Sequence, residues 1–150
     1  MVEPHVIRLR GPWELQPLAS WQSSDNSLPK GGRLEMPSDW SKLLGADFRG
    51  RVRHLRRFGR PTGLDAGERV WLVCDGATDA ATIFLNGAQL GAVISGSNQP
   101  ARFEVTDRLL RRNELVIDVE FPAAEATNPS DAAAFRCGGL TGGVRLEIVD

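Results

Sequence analysis

Six arginines fall within Phe48–Pro61, at Arg49, Arg51, Arg53, Arg56, Arg57 and Arg60, the densest concentration of one reactive group in the chain. Such a run invites phosphate contacts. The period argues otherwise, because Arg49, Arg51, Arg53 and Arg57 share one face of an extended strand while Val52 and Phe58 take the other, which is how a strand keeps one side wet. The aromatic platforms that single-strand binders interleave with charge are missing from that face. Ion pairs with acidic neighbours are expected there, and no nucleic acid. Suitable carboxylates recur at Glu114, Asp118 and Glu120, out of phase with the apolar Leu115, Ile117, Val119 and Phe121.

Catalytic constellations are hard to assemble from the remaining groups. Paired carboxyls for hydrolysis stand about 5 to 10 Å apart with one pKa raised, whereas most acids here fall on outer strand faces where water keeps them ionised. With only His5 and His54, and neither HExxH nor CxxC, no metal centre is expected. Cys137 with His54 is a thiol–base pair in composition only. Gly138-Gly139 and Gly142-Gly143 lack the lysine of a phosphate loop and precede a strand, so they read as tight turns. No cofactor is implied.

The elements that position these groups are strands. Arg69–Cys74 is apolar on both alternate faces, with Val70, Leu72 and Cys74 on one side and Trp71 and Val73 on the other, as in a central strand covered on both sides. Ala81–Leu85 is a second apolar run, and Asn86-Gly87 is the pair best able to supply two positive φ angles before Ala88–Val93 returns antiparallel. Asp75–Asp79 is too short for a crossover helix, so neighbouring strands are expected to be joined by turns. Ile7, Leu9, Gly11, Trp13 and Leu15 alternate with polar residues in one strand, which Pro12 confines to an edge or a bulge. Ala19–Asp47 reads as a long loop, with Trp40 either an anchor, the favoured role, or a platform for a ligand. Further strands fall at Arg102–Val105, Glu114–Phe121 and Val144–Val149. Short strands, frequent turns and no convincing amphipathic helix describe an all-β, antiparallel sandwich of jelly-roll type.

One domain over residues 1–150 suits the length, which needs no metal or disulfide for stability. A formal net charge of -1 with 25% charged residues argues against disorder and against a whole-molecule field for nucleic acid. No apolar run reaches the roughly 20 residues of a membrane span, and the first ten residues lack a signal-like apolar stretch, so a cytoplasmic location is expected. Cys74 and Cys137 are too few for a disulfide framework and are expected reduced.

Several segments, in order, resemble the sugar-binding N-terminal domain of glycoside hydrolase family 2, the β-galactosidase, β-glucuronidase and β-mannosidase group. Met36-Pro37-Ser38-Asp39-Trp40 resembles the family's proline-to-tryptophan entry, and His54-Leu55-Arg56-Arg57-Phe58 with Pro61 its aromatic, basic strand. Ile83-Phe84-Leu85-Asn86-Gly87 with Gly91 resembles its best-known signature. Phe103-Glu104-Val105-Thr106 and Asn113-Glu114-Leu115 follow in turn, and Phe135–Leu140 with Val144-Arg145-Leu146 resembles the closing segment. The resemblance spans about Met36 to Val149. It implies a galactose-binding-domain-like jelly roll and a non-catalytic role, since the family's two catalytic glutamates belong to a separate barrel.

In the β-galactosidases, the resemblance further implies, the closing loop sends an acidic residue into the barrel's sugar site, two positions before the aromatic matched by Phe135. Ala133 stands there, and Asp131 is the nearest carboxylate. A sugar site is therefore expected where Asp39-Trp40, the Ser97–Gln99 loop and the Asn128–Arg136 loop converge. Its candidate residues are Asp39, Trp40, Asn98, Asp131 and Arg136: a flat ring to stack on a sugar, and donors and acceptors for its hydroxyls. Weak carbohydrate binding is one expected function. The alternative is a structural or interaction module, a homodimer or the partner of a separate catalytic chain, without sugar binding.

Overall fold

Apolar residues alternating along nearly every segment leave each sheet one face to bury, and two sheets meet over those faces. The computed structural model describes residues 4–21, 28–76, 80–94, 100–121 and 138–150, with Ile94 described by its backbone. In chain order the strands are β1 (His5–Arg8), β2 (Trp13–Ser20), β3 (Gly32–Leu34), β4 (Ser38–Asp39), β5 (Gly50–Gly59), β6 (Arg69–Cys74), β7 (Ala80–Leu85), β8 (Ala88–Ile94), β9 (Ala101–Glu104), β10 (Arg112–Phe121), β11 (Gly139–Leu140) and β12 (Val144–Val149). One sheet has the order β1-β12-β6-β9, the facing sheet β3-β2-β5-β10-β7-β8, and β11 pairs with β4. Every pairing is antiparallel. The architecture is the expected galactose-binding-domain-like β-sandwich.

Between the sheets lie Trp13, Leu15, Val52, Val70, Leu72, Ile83, Leu85, Leu115, Ile117, Val119 and Leu146, all buried. The Asn86-Gly87 turn has φ of 52° and 85°, so both residues take the left-handed conformation expected of them. Asn86 also ties the turn to its neighbours. Its Oδ1 accepts from Glu114 N at 2.8 Å, and its Nδ2 donates to Asn113 Oδ1 at 3.0 Å. Asn113 is buried, and its amide is held by Leu110 N and Leu110 O.

Three expectations need correcting. The run from Ile7 to Leu15 is two strands rather than one, because the chain breaks at Gly11-Pro12 and passes from the four-stranded sheet to the six-stranded one. Proline cannot donate to a ladder, so the corner falls where pairing would be lost anyway. Strands β6 and β7 are sequential but belong to opposite sheets, so they are not the ladder neighbours that a turn between them implied. The supposed loop Ala19–Asp47 contains the end of β2, the short strands β3 and β4, and one helical turn, α1 (Ser41–Leu44).

Strand β6 is central, as its sequence required, but its two covers differ in kind. Val70, Leu72 and Cys74 enter the core. On the outer side Val73 is also fully buried, flanked across the ladder by Arg145 and Arg102, while the Arg102 guanidinium lies 5.4 Å from the centre of the Trp71 ring. Long basic stems shield apolar surface while their heads stay polar. Glu147 completes this layer, accepting from Arg102 and Arg145 at 2.8 Å each. Burial alone would raise the Glu147 pKa, but the two arginines outweigh it and hold the carboxyl below the ordinary glutamate range.

Candidate functional site

The arginine row of β5 meets the acidic row of β10 as their periods required. Arg53 makes a bidentate pair with Asp118 at 2.9 and 3.0 Å, Arg51 reaches Glu120 at 3.4 Å and Arg57 reaches Glu114 at 3.5 Å. Arg49 departs from the row: its Nη1 donates to Ala46 O and Phe48 O, and its guanidinium sits 4.8 Å from the centre of the Phe121 ring.

Trp40 is an anchor. Its ring is 0% exposed, edge-on to Phe48 at 5.7 Å and to Phe121 at 6.5 Å, with Nε1 donating to Phe48 O at 3.3 Å. It therefore offers no face to a ligand, which corrects the platform role considered for it. The backbone around it closes the site's base. Trp40 N donates to Gly138 O at 2.8 Å, and Asp39 is paired with Gly139. A side chain at Gly138 would sit 2.2 Å from the indole, so only glycine lets the chain cross the ring so closely. Half-buried Asp39 turns its Oδ1 to Ser41, accepting from N at 3.0 Å and Oγ at 2.6 Å, and so fixes the start of α1.

The other candidates, Asn98, Asp131 and Arg136, lie outside the described residues, as does Cys137. Their flanking elements are described. Ile94, at the end of β8, pairs with Ala80, and Ala80 pairs on its other side with Glu120 of β10. The ends of β8 and β10 are thus two ladder spacings apart, roughly 10 Å. Phe121 and Gly138, which bracket residues 122–137, both pack on Trp40. The described flanks lie at one end of the sandwich, and the segments expected to converge there, Ser97–Gln99 and Asn128–Arg136, fall outside the described residues.

His54 belongs to the same aromatic layer, its ring 6.5 Å from that of Trp40. It is 0% exposed, with Nδ1 3.2 Å from Val52 O and Nε2 without a well-formed partner. Desolvation lowers its pKa to about 4, against the raising influence of the Val52 and Ile117 carbonyls and of Asp118. Cys74 is buried, and desolvation pushes its thiol up to about 11. Neither group is poised for proton transfer or attack near neutral pH. Among the described residues no three His, Cys, Asp or Glu side chains gather as a metal site, and no described helix is long and apolar enough to cross a membrane.

The sequence reading missed the opposite end of the sandwich, where Arg111 and Arg112 join Arg57 at the end of the β5–β10 ladder. Their only sequence signal was the dipeptide before Asn113.

A family model described as glycosyl hydrolase 2 galactose-binding domain-like matches residues 53–145. Among solved structures, the chain is similar to a Bifidobacterium dentium β-glucuronidase complexed with coumarin-3-O-glucuronide, at 25% identity and a TM-score of 0.74, covering 98% of this chain and 30% of that one. It is similar also to an FMN-binding β-glucuronidase from Facaelibacterium prausnitzii L2-6 (24% identity, TM-score 0.76, 98% of this chain and 23% of that one). A third is a putative β-galactosidase from Bacteroides fragilis (19%, 0.75, 99% and 24%). The chain thus spans less than a third of the length of these proteins. No functionally curated protein matches it. The correspondence is to the family's galactose-binding-like domain and not to its catalytic one. The chain belongs to the glycosyl hydrolase 2 galactose-binding domain-like family.

Proposed function

We propose that this domain is a non-catalytic carbohydrate-binding-type module serving a family 2 glycoside hydrolase, with its sugar contact at the end of the sandwich rooted on Trp40. The observation that carries the reading is the shared root: Phe121, Gly138 and Asp39 gather around one buried indole, and the end of β8 lies two strands from Phe121 in the same sheet. Asn98, Asp131 and Arg136 supply the donors and acceptors, and Asp39 secures the base. Trp40 acts from beneath, as their mount. Binding through a few polar groups without a stacking ring is weak, in the millimolar to micromolar range or about -4 to -8 kcal/mol. Titrating mono- and oligosaccharides while following amide shifts tests this. Shifts at residues 95–99 and 128–139 that vanish in an Asp131→Ala/Arg136→Ala variant are expected, and shifts confined elsewhere overturn the site.

Burial of Trp40 favours a second reading, a structural or interaction module without sugar binding, because it removes the aromatic face on which a sugar ring would stack. No amide shift with any sugar, together with a dimer in sedimentation or capture of a separate family 2 catalytic chain, would establish that reading instead.

A further inference from the structure

At the hairpin end of the sandwich, far along the strands from Trp40, a cavity of about 760 Å3 is lined by Arg57, Phe58, Asn86, Arg111, Arg112 and Glu114 among others. A second, of about 460 Å3, adjoins it through Arg111 and adds Arg60. We propose that this arginine-lined double cavity binds an acidic oligosaccharide, a sugar chain carrying carboxylate or sulfate groups.

Along the β5 face each of Arg51, Arg53 and Arg57 has a carboxylate opposite it. At this end the balance fails: Arg60, Arg111 and Arg112 make no ion pair among the described residues, and Glu114 is the one carboxylate in the lining, already shared with Arg57. A chain with 18 basic and 19 acidic side chains carries no general excess of positive charge, so the surplus is local. Backbone register fixes its spacing. Gly59 lies opposite Arg112, Arg57 opposite Glu114, and Arg60 N donates to Arg111 O at 3.1 Å. The guanidinium stems therefore spring from positions one or two residues apart on adjoining strands, roughly 5 to 7 Å, a spacing suited to successive charges along an oligomer.

The floor is rigid. Asn86 and Asn113 are hydrogen-bonded to each other and to the backbone of Leu110, Glu114 and Arg108, so their amides hold the cavity's shape and are not the ligand's contacts. Guanidinium groups meet carboxylate and sulfate with two parallel hydrogen bonds. The half-buried Phe58 side chain in the wall adds apolar surface for a ring. Two cavities in series favour an extended ligand over a single small anion, and their volumes lie in the range of ligand sites.

Calorimetry and amide shifts on the whole chain would use four probes: tetragalacturonate, a heparin-derived tetrasaccharide, neutral cellotetraose and pyrophosphate. Both acidic sugars are expected to bind at about 20 mM salt and to weaken steeply by about 150 mM, as charge pairing requires. Arg111→Gln/Arg112→Gln removes two exposed, unpaired groups and is expected to keep the melting point while weakening both by at least about tenfold. Arg8→Gln/Arg10→Gln, equal in charge, is expected to change them by less than about twofold. Equal weakening by the two variants, binding of cellotetraose as tight as that of the acidic sugars, or no binding of either acidic sugar overturns the site. Pyrophosphate binding more tightly than both acidic sugars assigns the cavity to a free phosphate and overturns the saccharide. Because the Trp40 end is probed by Asp131 and Arg136, the two sites fail independently.

Discussion

Replacing His54 by leucine should make the protein more resistant to acid while changing little at neutral pH. The imidazole is fully buried between Leu15 of β2 and Ile117 of β10, and its pKa is lowered from 6.5 to about 4. A histidine whose folded pKa is depressed binds a proton more readily in the unfolded chain. Stability is therefore complete above about pH 6.5 and is lost progressively as pH falls toward 4. With those two values, linkage gives a loss of about 2 to 3 kcal/mol at about pH 4.5, or roughly 5 to 10 °C in midpoint for a domain of this size. Leucine fills a similar volume and gives up one 3.2 Å hydrogen bond from a ring whose other nitrogen already lacks a partner. Its cost at pH 7.5 is expected to be within about 1 kcal/mol. Thermal unfolding of both proteins from pH 8 to 4.5 isolates the effect, since carboxylate contributions common to both cancel. Parallel curves across the window, with no relative gain for the variant in acid, would refute the argument that burial keeps His54 neutral.

Three further outcomes are expected. Gly87→Val forces a β-branched residue to φ near 85° where nothing crowds the new side chain, so a loss of roughly 1 to 3 kcal/mol would come from the backbone alone; an unchanged melting point would remove the tight-turn account. Gly138→Ala drives a methyl to 2.2 Å from the Trp40 indole and should cost about 3 kcal/mol, with a change in Trp40 fluorescence; a midpoint within a degree of the parent would mean that the ring yields freely. Glu147→Gln should cost about 1 to 2 kcal/mol at neutral pH. Because the folded pKa of Glu147 is depressed, the difference from the parent should hold above the unfolded value near 4.3 and shrink below it. A difference that grows in acid would refute the ion-pair layer.

What was legible in the sequence was what repeats at the period of a strand. The arginines of β5 and the acids of β10 declared both their faces and their mutual pairing, and Asn86-Gly87 announced its turn because few residue pairs tolerate two positive φ angles. Sheet membership was not legible, since β6 and β7 look like ladder neighbours unless the sandwich itself is known. The same local alternation hid the corner at Gly11-Pro12. Trp40 was ambiguous because an indole that roots a loop and one that stacks on a sugar have the same sequence context, and only burial separates them. At the hairpin end, Arg111 and Arg112 gave no periodic signal. Their significance lies in the lack of carboxylates opposite them, a property of the assembled sheet.

The mounting of residues 122–137 has a consequence for how such a domain diversifies. Its flanks, Phe121 and Gly138, are both held against one indole, so the core brings the two ends together. The cost of closing a flexible segment grows only with the logarithm of its length, about 0.6 kcal/mol for each doubling. A flexible sequence placed between these flanks would therefore add only this small closure cost as it lengthens, provided that the indole and the glycine remain. The domain is thus suited to loop grafting, with a new recognition sequence inserted between two fixed posts and the sandwich left to fold as before.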